Sequence, residues 1–303
     1  MSIFISIAAY EDPSLLDTMR SALENADKPQ DIVFGIALQY KIQPDLSEFN
    51  HDQLRVISYD PATRPGIVRI RYNISKLFND EDFYVQIDSH YRFAKSWDSK
   101  LIAHYNHLCA QTGTDKVYLL PLGPYGDEIM TSSWSMQVGE YLGAPTLNLI
   151  PDNGRAKFDS LYNEISYARV GQCFFPGKFI KEVGFDPYTQ VGHEIAYFSY
   201  RLFISGYRMF QVNEELLTQE DAEYLKLNWE DVPDGTPRFG SIYAQDNHMT
   251  QYEMALAFIL NDHTKYAVRP EVRTPEEFWI AQGRHEDYLQ LKKKIISFIR
   301  NDF

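Results

Sequence analysis

Phe83-Tyr84-Val85-Gln86-Ile87-Asp88-Ser89-His90 is an apolar run that breaks off into an acid, a small hydroxyl residue and a histidine. Phe83, Tyr84, Val85 and Ile87 are the aromatic and aliphatic types that fill a buried strand. The polar stretch Asn79-Asp80-Glu81-Asp82 before them reads as a turn. A strand is therefore expected to end near Asp88. Side chains two apart on a strand share a side, so Asp88 and His90 are expected to face one way. A carboxylate oxygen and an imidazole nitrogen make half of a site for Mn²⁺ or a similar divalent cation. The strand ends of open α/β sheets are also where ligands bind. The bland alternative has Asp88 capping the turn and His90 as a satisfied, partly buried histidine.

Upstream, residues 3–9 form a compact apolar strand, ended by Tyr10-Glu11-Asp12-Pro13. Asp12 caps and Pro13 opens a helix to about residue 25, with Leu15, Leu16, Met19, Ala22 and Leu23 on one face. Residues 32–38 and 54–59 are further strands. Strand, helix and strand at this spacing predict a mostly parallel sheet with crossover helices. A Gly-x-Gly-x-x-Gly is absent, and with it the dinucleotide fingerprint. In Arg64-Pro65-Gly66-Ile67-Val68-Arg69-Ile70-Arg71, Pro65 and Gly66 make a loop before a helix to about residue 78. Arg64 at its start and Arg71 two turns in flank a natural anion site; the alternative is three solvated arginines.

Downstream, the pattern predicts a helix over 97–109 and a strand over 117–122. Over 123–159 it weakens, and loops over the cleft are expected. A strand over 168–175 and a short helix over 178–183 follow. His193-Glu194 opens a helix to about residue 205, before a strand over 207–212. Residues 221–246 are polar and turn-rich, a candidate lid. Residues 250–260 and 275–301 read as helices.

The net charge of −13 argues against a general polyanion-binding surface, but leaves room for a local basic pocket. The two cysteines, Cys109 and Cys173, are far apart and in no metal spacing, so free thiols are expected. The opening Met1-Ser2-Ile3-Phe4-Ile5-Ser6-Ile7 lacks a basic region, and no run approaches the ~20 apolar residues of a membrane span. A cytoplasmic protein without an anchor is expected.

Residues 3–13, residues 83–93 with Trp97-Asp98, and Glu182-Val183-Gly184-Phe185-Asp186-Pro187-Tyr188 leading to Gly192-His193-Glu194-Ile195 resemble the Skp1-type polypeptide N-acetylglucosaminyltransferases. Residues 64–71 are similar to a block in the more distant polypeptide N-acetylgalactosaminyltransferases, which share an Asp-x-His metal motif. The resemblance covers about residues 3–212. It implies an α/β fold of the GT-A type over 1–212, with residues 213–303 a variable loop or lid and C-terminal helices. It also implies a retaining glycosyltransferase that uses a UDP-sugar and Mn²⁺ or Mg²⁺, the metal held by Asp88 and His90. Ala8, Tyr10, Gln39, Arg64, Arg71, Asp88 and Ser89 fall where the family meets the donor. Glu194 matches the glutamate that reaches toward acceptor and transferred sugar.

Two departures stand out. The family's Gly-Glu-Glu reads Gly192-His193-Glu194 here, which makes His193 a candidate for the sugar or acceptor, or a helix cap. The histidine that completes the metal shell is missing from residues 216–221; His248 is the preferred replacement, with Gln219 and Asp246 as alternatives. The acceptor is expected to be a protein hydroxyl, then a glycan, then a hydroxylated nucleic-acid base. The rivals are a catalytically silent nucleotide-sugar-binding module and, more weakly, a nucleotidyltransferase. Asp88→Ala is expected to abolish turnover while leaving the melting temperature nearly unchanged.

Overall fold

A computed structural model describes residues 1–63, 65–121, 128–141, 144–157, 160–166, 168–189, 193–220, 251–260 and 272–301. Its centre is an eight-stranded mixed sheet in the order β3-β2-β1-β4-β10-β6-β11-β9. These strands are β1 (Ile3–Tyr10), β2 (Ile32–Gln39), β3 (Leu54–Tyr59), β4 (Phe83–Asp88), β6 (Val117–Leu120), β9 (Tyr162–Ile165), β10 (Gln172–Pro176) and β11 (Arg208–Val212). The strands β3, β2, β1 and β4 run parallel, as the spacing predicts. The second half is mixed: β10 is antiparallel to β4 and β6, β11 is parallel to β6, and β9 is antiparallel to β11.

The apolar runs are continuous because both sheet faces are covered. Along β1, Ile3, Ile5, Ile7 and Ala9 enter one buried cluster, and Phe4 and Ala8 enter the other. The first cluster is closed by α1 (Leu15–Glu24) and α3 (Trp97–Thr112) through Leu15, Met19, Trp97 and Leu101. The second is closed by α2 (Ile67–Ser75), α4 (Lys178–Glu182) and α5 (His193–Ile204), through Ile70, Ile74, Phe179, Phe198 and Leu202. The two helices on the first face are tied end to end. The Asp98 carboxylate accepts the Asp27 and Lys28 N–H groups at 2.9 Å each, and the Trp97 indole donates to Ala22 O at 2.8 Å.

A third cluster holds α6 (Gln251–Leu260), α7 (Pro275–Ala281) and α8 (His285–Asn301) onto α5. Tyr200 stacks on Phe258 and donates to Ala257 O at 2.9 Å, and the Trp279 indole donates to Phe258 O at 2.9 Å. Among the described residues no helix is long and apolar enough to cross a membrane.

Several boundaries depart from the sequence reading. Most of the 123–159 stretch, expected as loops, is a long antiparallel pair, β7 (Glu128–Tyr141) with β8 (Ala144–Lys157). Its signal is the alternation of Trp134, Met136 and Val138 with Ser133, Ser135 and Gln137, diluted by glycine and proline on either side. The strand expected from residue 168 begins only at Gln172. The helix expected over 275–301 is two helices, broken where Gly283 takes a left-handed φ of 67°; Thr274 and Glu277 cap the first reciprocally. A small sheet of β5 (Tyr91–Phe93) and β12 (Leu217–Gln219) was not foreseen. The candidate lid over 221–246 lies outside the described residues.

One close approach sets the spacing of the second face. A Cβ on Gly35 would stand 2.0 Å from Cζ of the fully buried Phe4 ring, which lies on the bare backbone of β2. Gly35→Ala should therefore destabilise the chain by about 1–3 kcal/mol in urea unfolding, the cost of overpacking a filled core. An unchanged midpoint would mean that the ring moves aside freely.

Candidate functional site

The parallel strands bring their C-terminal ends together at one edge of the sheet. Ala8 lies opposite Asp88 and Ala37, and Tyr10 lies opposite Gln39. The chain stays bound beyond the strand, since Glu11 N–H donates to Gln39 O at 3.1 Å. Ala8 and Gln39 are buried and Tyr10 is half-buried. Ala8, Tyr10, Gln39 and Asp88, far apart in sequence, thus share this edge.

Asp88 ends β4 half-buried. Arg71 reaches it from α2, its Nη2 donating to Asp88 Oδ1 at 2.9 Å. The Arg71 side chain is only 8% exposed and its Nε has no hydrogen-bond partner. On the other side a Cβ at Gly171 would lie 3.1 Å from Asp88 Oδ2, so backbone packs directly on the carboxylate. This ion pair changes the expectation for Asp88→Ala. Removing one partner strands a buried guanidinium, which costs stability as well as function. Asp88→Asn, which keeps an acceptor for Arg71, isolates the chemistry better.

The turn after Asp88 is clamped from α1. Thr18 Oγ1 donates to Ser89 O at 2.8 Å and accepts Tyr91 N–H at 2.9 Å, and Ser21 Oγ accepts Phe93 N–H at 2.9 Å. Ser89 is buried, and its hydroxyl donates to Asp12 Oδ2. His90 Nδ1 lies 3.0 Å from the same oxygen, and His90 Nε2 lies 3.0 Å from the Gln219 amide nitrogen. Gln219 arrives on β12, which pairs with β5 and is pinned where Gln172 Nε2 donates to Leu217 O at 2.9 Å.

Electrostatics couples Asp12 and His90. Burial pushes the Asp12 carboxyl up, but hydrogen bonds from His90, Ser89 and the Ser14 N–H, with the His90 charge, outweigh it and hold the pKa below the ordinary value. Burial pulls the His90 imidazole down; its hydrogen bond to Asp12 and the charges of Asp88, Asp12 and Glu220 outweigh that and hold the pKa above the ordinary histidine value.

Glu194, in the first turn of α5, lines a narrow recess together with Arg71, Asp186, Thr189, Tyr197 and Arg201. Arg201 is buried, gives Nη2 to Val183 O, and leaves Nε and Nη1 without a partner. Burial pushes the Asp186 carboxyl up, partly offset by the Arg201 charge and by hydrogen bonds from Tyr188 and Thr189. Arg71 therefore joins the Asp88 edge to the Glu194 recess.

His193 is the first residue of α5. Arg64, Asp246 and His248 lie outside the described residues. Among the described residues no group of three His, Cys, Asp or Glu side chains could hold a metal; Asp88 and His90 are accompanied instead by Gln219. The donor types suit a hard or borderline cation: Asp88 offers a carboxylate, His90 an Nε2 that has no carboxylate contact, and Gln219 a carbonyl once its amide, now turned with its nitrogen to Nε2, is reversed. The sequence reading missed Asp12 and Thr18. An acid just past the end of β1, beside the strand that ends in Asp88, was the available signal for Asp12.

Residues 41–220, more than half of the chain, match the sequence profile of a family described as glycosyltransferase (GlcNAc). No curated protein sequence matches. Among solved structures, GalNAc-T7 with UDP, GalNAc and Mn²⁺ aligns over 98% of this chain at 12% identity and a TM-score of 0.55. The chain spans only about half of that protein, 54% of its length. Residues 1–349 of S. aureus TarS align over 72% of this chain and 59% of their own length, at 14% identity and a TM-score of 0.46. The α/β fold, with its central mixed sheet flanked by helices, is of the GT-A type.

The coupling of Asp12 and His90 has a sign. A raised folded pKa gives stability that is full below the unfolded value, near 6.5, and is lost as pH rises through the folded one. Asp12, held low, stays ionised across that window. In EDTA, His90→Ala should lower Tm more at about pH 5.5 than at about pH 8.5. The loss should narrow without vanishing, because the neutral ring still donates from Nδ1. An equal loss at both pH values would contradict the coupling.

Proposed function

The chain belongs to the glycosyltransferase (GlcNAc) family, and from that premise we propose a retaining, metal-dependent transferase that moves N-acetylglucosamine or a related hexose from a UDP-sugar to an acceptor hydroxyl. One observation carries the reading. The carboxylate of Asp88 and the imidazole of His90 sit where the parallel strands end, beside Ala8, Tyr10 and Gln39 and one arginine away from Glu194. In this reading Asp88 and His90 hold Mn²⁺ or Mg²⁺, with Gln219, whose amide already lies against His90, or His248 as third ligand. The bound cation supplies charge neutralisation for a diphosphate leaving group.

The chain's own groups do the rest. Arg64 and Arg71 bind the diphosphate oxygens, and Ala8, Tyr10, Gln39 and Ser89 form the wall at the nucleoside end. Glu194 orients the transferred sugar or takes the acceptor proton from a half-buried position, with His193 beside it at the head of α5. Residues 1–212 form the donor-binding core, and residues 213–303 contribute to reading the acceptor. That acceptor is a protein hydroxyl, with a glycan or a hydroxylated nucleic-acid base as alternatives.

A second reading, a nucleotide-sugar-binding module without turnover, is favoured by one observation: among the described residues no group of three His, Cys, Asp or Glu could hold a metal. A panel of UDP-sugars with Mn²⁺, scored for UDP release without acceptor, separates the two. One donor should be hydrolysed, and Asp88→Asn should lower its turnover at least a hundredfold with Tm nearly unchanged. Calorimetric binding of UDP with no release from any donor would favour the silent module. Gln219→Ala should weaken Mn²⁺ binding severalfold in a direct titration; unchanged affinity would pass the third place to His248 or another group.

A further inference from the structure

One buried carboxylate is not explained by the turn it sits in. Asp12 is 4% exposed. Asp12 does not cap α1 as the sequence suggests, because the helix starts at Leu15 behind Ser14; its Oδ1 accepts the Ser14 N–H at 2.9 Å and closes a local turn ahead of the helix. Its other oxygen points across to the β4–β5 turn, where it meets the Ser89 hydroxyl and His90 Nδ1. Burying a carboxylate is costly unless its oxygens are satisfied, and here the Ser14 N–H, the Ser89 hydroxyl and the His90 ring do so.

An ionised carboxylate only accepts hydrogen bonds, so in the neutral ring the proton facing Asp12 belongs on Nδ1. The lone pair then lies on Nε2. The far side of the ring agrees, because the atom 3.0 Å from Nε2 is the Gln219 amide nitrogen, a donor, which holds the lone pair until a cation displaces it. The Thr18 contacts to Ser89 O and Tyr91 N–H fix the backbone on both sides of His90, so the ring has little freedom to turn away.

We propose that Asp12 is a positioning residue, which locks His90 in the Nδ1–H tautomer and presents its Nε2 lone pair to a divalent cation. This rests on the reading of His90 as a cation ligand. A hydrogen-bond partner behind a ligating histidine fixes both tautomer and ring orientation. In Asp12→Asn the shape and the Ser14 bond are kept, but an NH₂ group replaces the oxygen that faces His90. That group can only donate, so Nδ1 must accept, the proton moves to Nε2, and the lone pair offered to the cation is lost.

The test uses the full chain and Mn²⁺ alone, titrated by electron paramagnetic resonance of the free ion. Asp12→Asn should raise the Mn²⁺ dissociation constant by about 10–100-fold, the range for removing such a partner, at a temperature where its circular dichroism is still that of the folded chain. Nitrogen-15 spectra of histidine-labelled protein in EDTA, assigned with a His90 variant, should show Nδ1–H in the wild type and Nε2–H in Asp12→Asn. Wild-type Mn²⁺ binding that Asp12→Asn leaves unchanged would overturn the positioning role while leaving His90 as ligand. A wild type that binds no Mn²⁺ would remove the ligand reading and this proposal with it. Should the variant fail to fold, the wild-type spectrum decides alone, since an Nε2–H ring there is incompatible with the proposal.

Discussion

The arrangement of the site depends on how two neighbouring strand ends are tied to each other. β1 leaves the sheet into the loop that carries Asp12, and β4 leaves it into the turn that carries Ser89 and His90. The strands are parallel neighbours, so both exits lie at the same edge. Asp12 binds across the gap through its side chain, and Thr18, one turn into α1, binds across it through the backbone of residues 89 and 91. Without these ties Asp88-Ser89-His90 would be an ordinary solvent-facing turn. With them, the direction of the imidazole is set by the packing of α1 on the sheet, and Leu15, Met19 and Ala22 on the apolar face of that helix fix it.

The two halves of the sheet divide the work. The parallel half gathers Ala8, Tyr10, Gln39 and Asp88 by register alone. The mixed half anchors what approaches from later in the chain. Fully buried Gln172 on β10 uses both amide hydrogens, on Pro121 O and Leu217 O, and so fastens β12 beside the site. Charges in this region are matched locally. Asp88 faces Arg71, and Asp186 is near Arg201, so an acidic chain carries two buried guanidiniums near its strand ends. Arg71 Nε and Arg201 Nε and Nη1 are buried without a hydrogen-bond partner, a cost that the neighbouring carboxylates offset only through charge.

The parallel strands were legible because burial on both faces leaves near-continuous apolar runs, as in residues 3–9, 32–38 and 83–87. The amphipathic face of α1 was legible for the same reason, but its two buried hydroxyls, Thr18 and Ser21, were not. Hydrophobic periodicity says nothing about a polar atom that is buried because it has a backbone partner elsewhere. Asp12 illustrates this limit well. Read locally, Asp12-Pro13 is a helix start, but the helix begins at Leu15; one Asp12 oxygen closes a local turn on Ser14, and the other depends on a turn 77 residues away. The β7–β8 pair was missed although its alternation is present, because neighbouring glycines and prolines dominate a short window. Three-residue strands such as β5 and β12 carry too little pattern to be seen at all.

The position of Gln219 has a consequence for the order in which the molecule can be built. It reaches His90 across 129 residues of sequence, and the Gln172 amide that fastens its strand lies 45 residues before the carbonyl it holds. During synthesis the chain emerges from its N-terminus, and all four parallel strands, β1 to β4, have been made by residue 88, before β12 exists. At that stage the turn already has Asp12 and Thr18 on one side of the imidazole and open water on the other. The far wall closes only after residue 219 has left the ribosome. A nascent chain therefore holds one side of this turn in place before the other side exists.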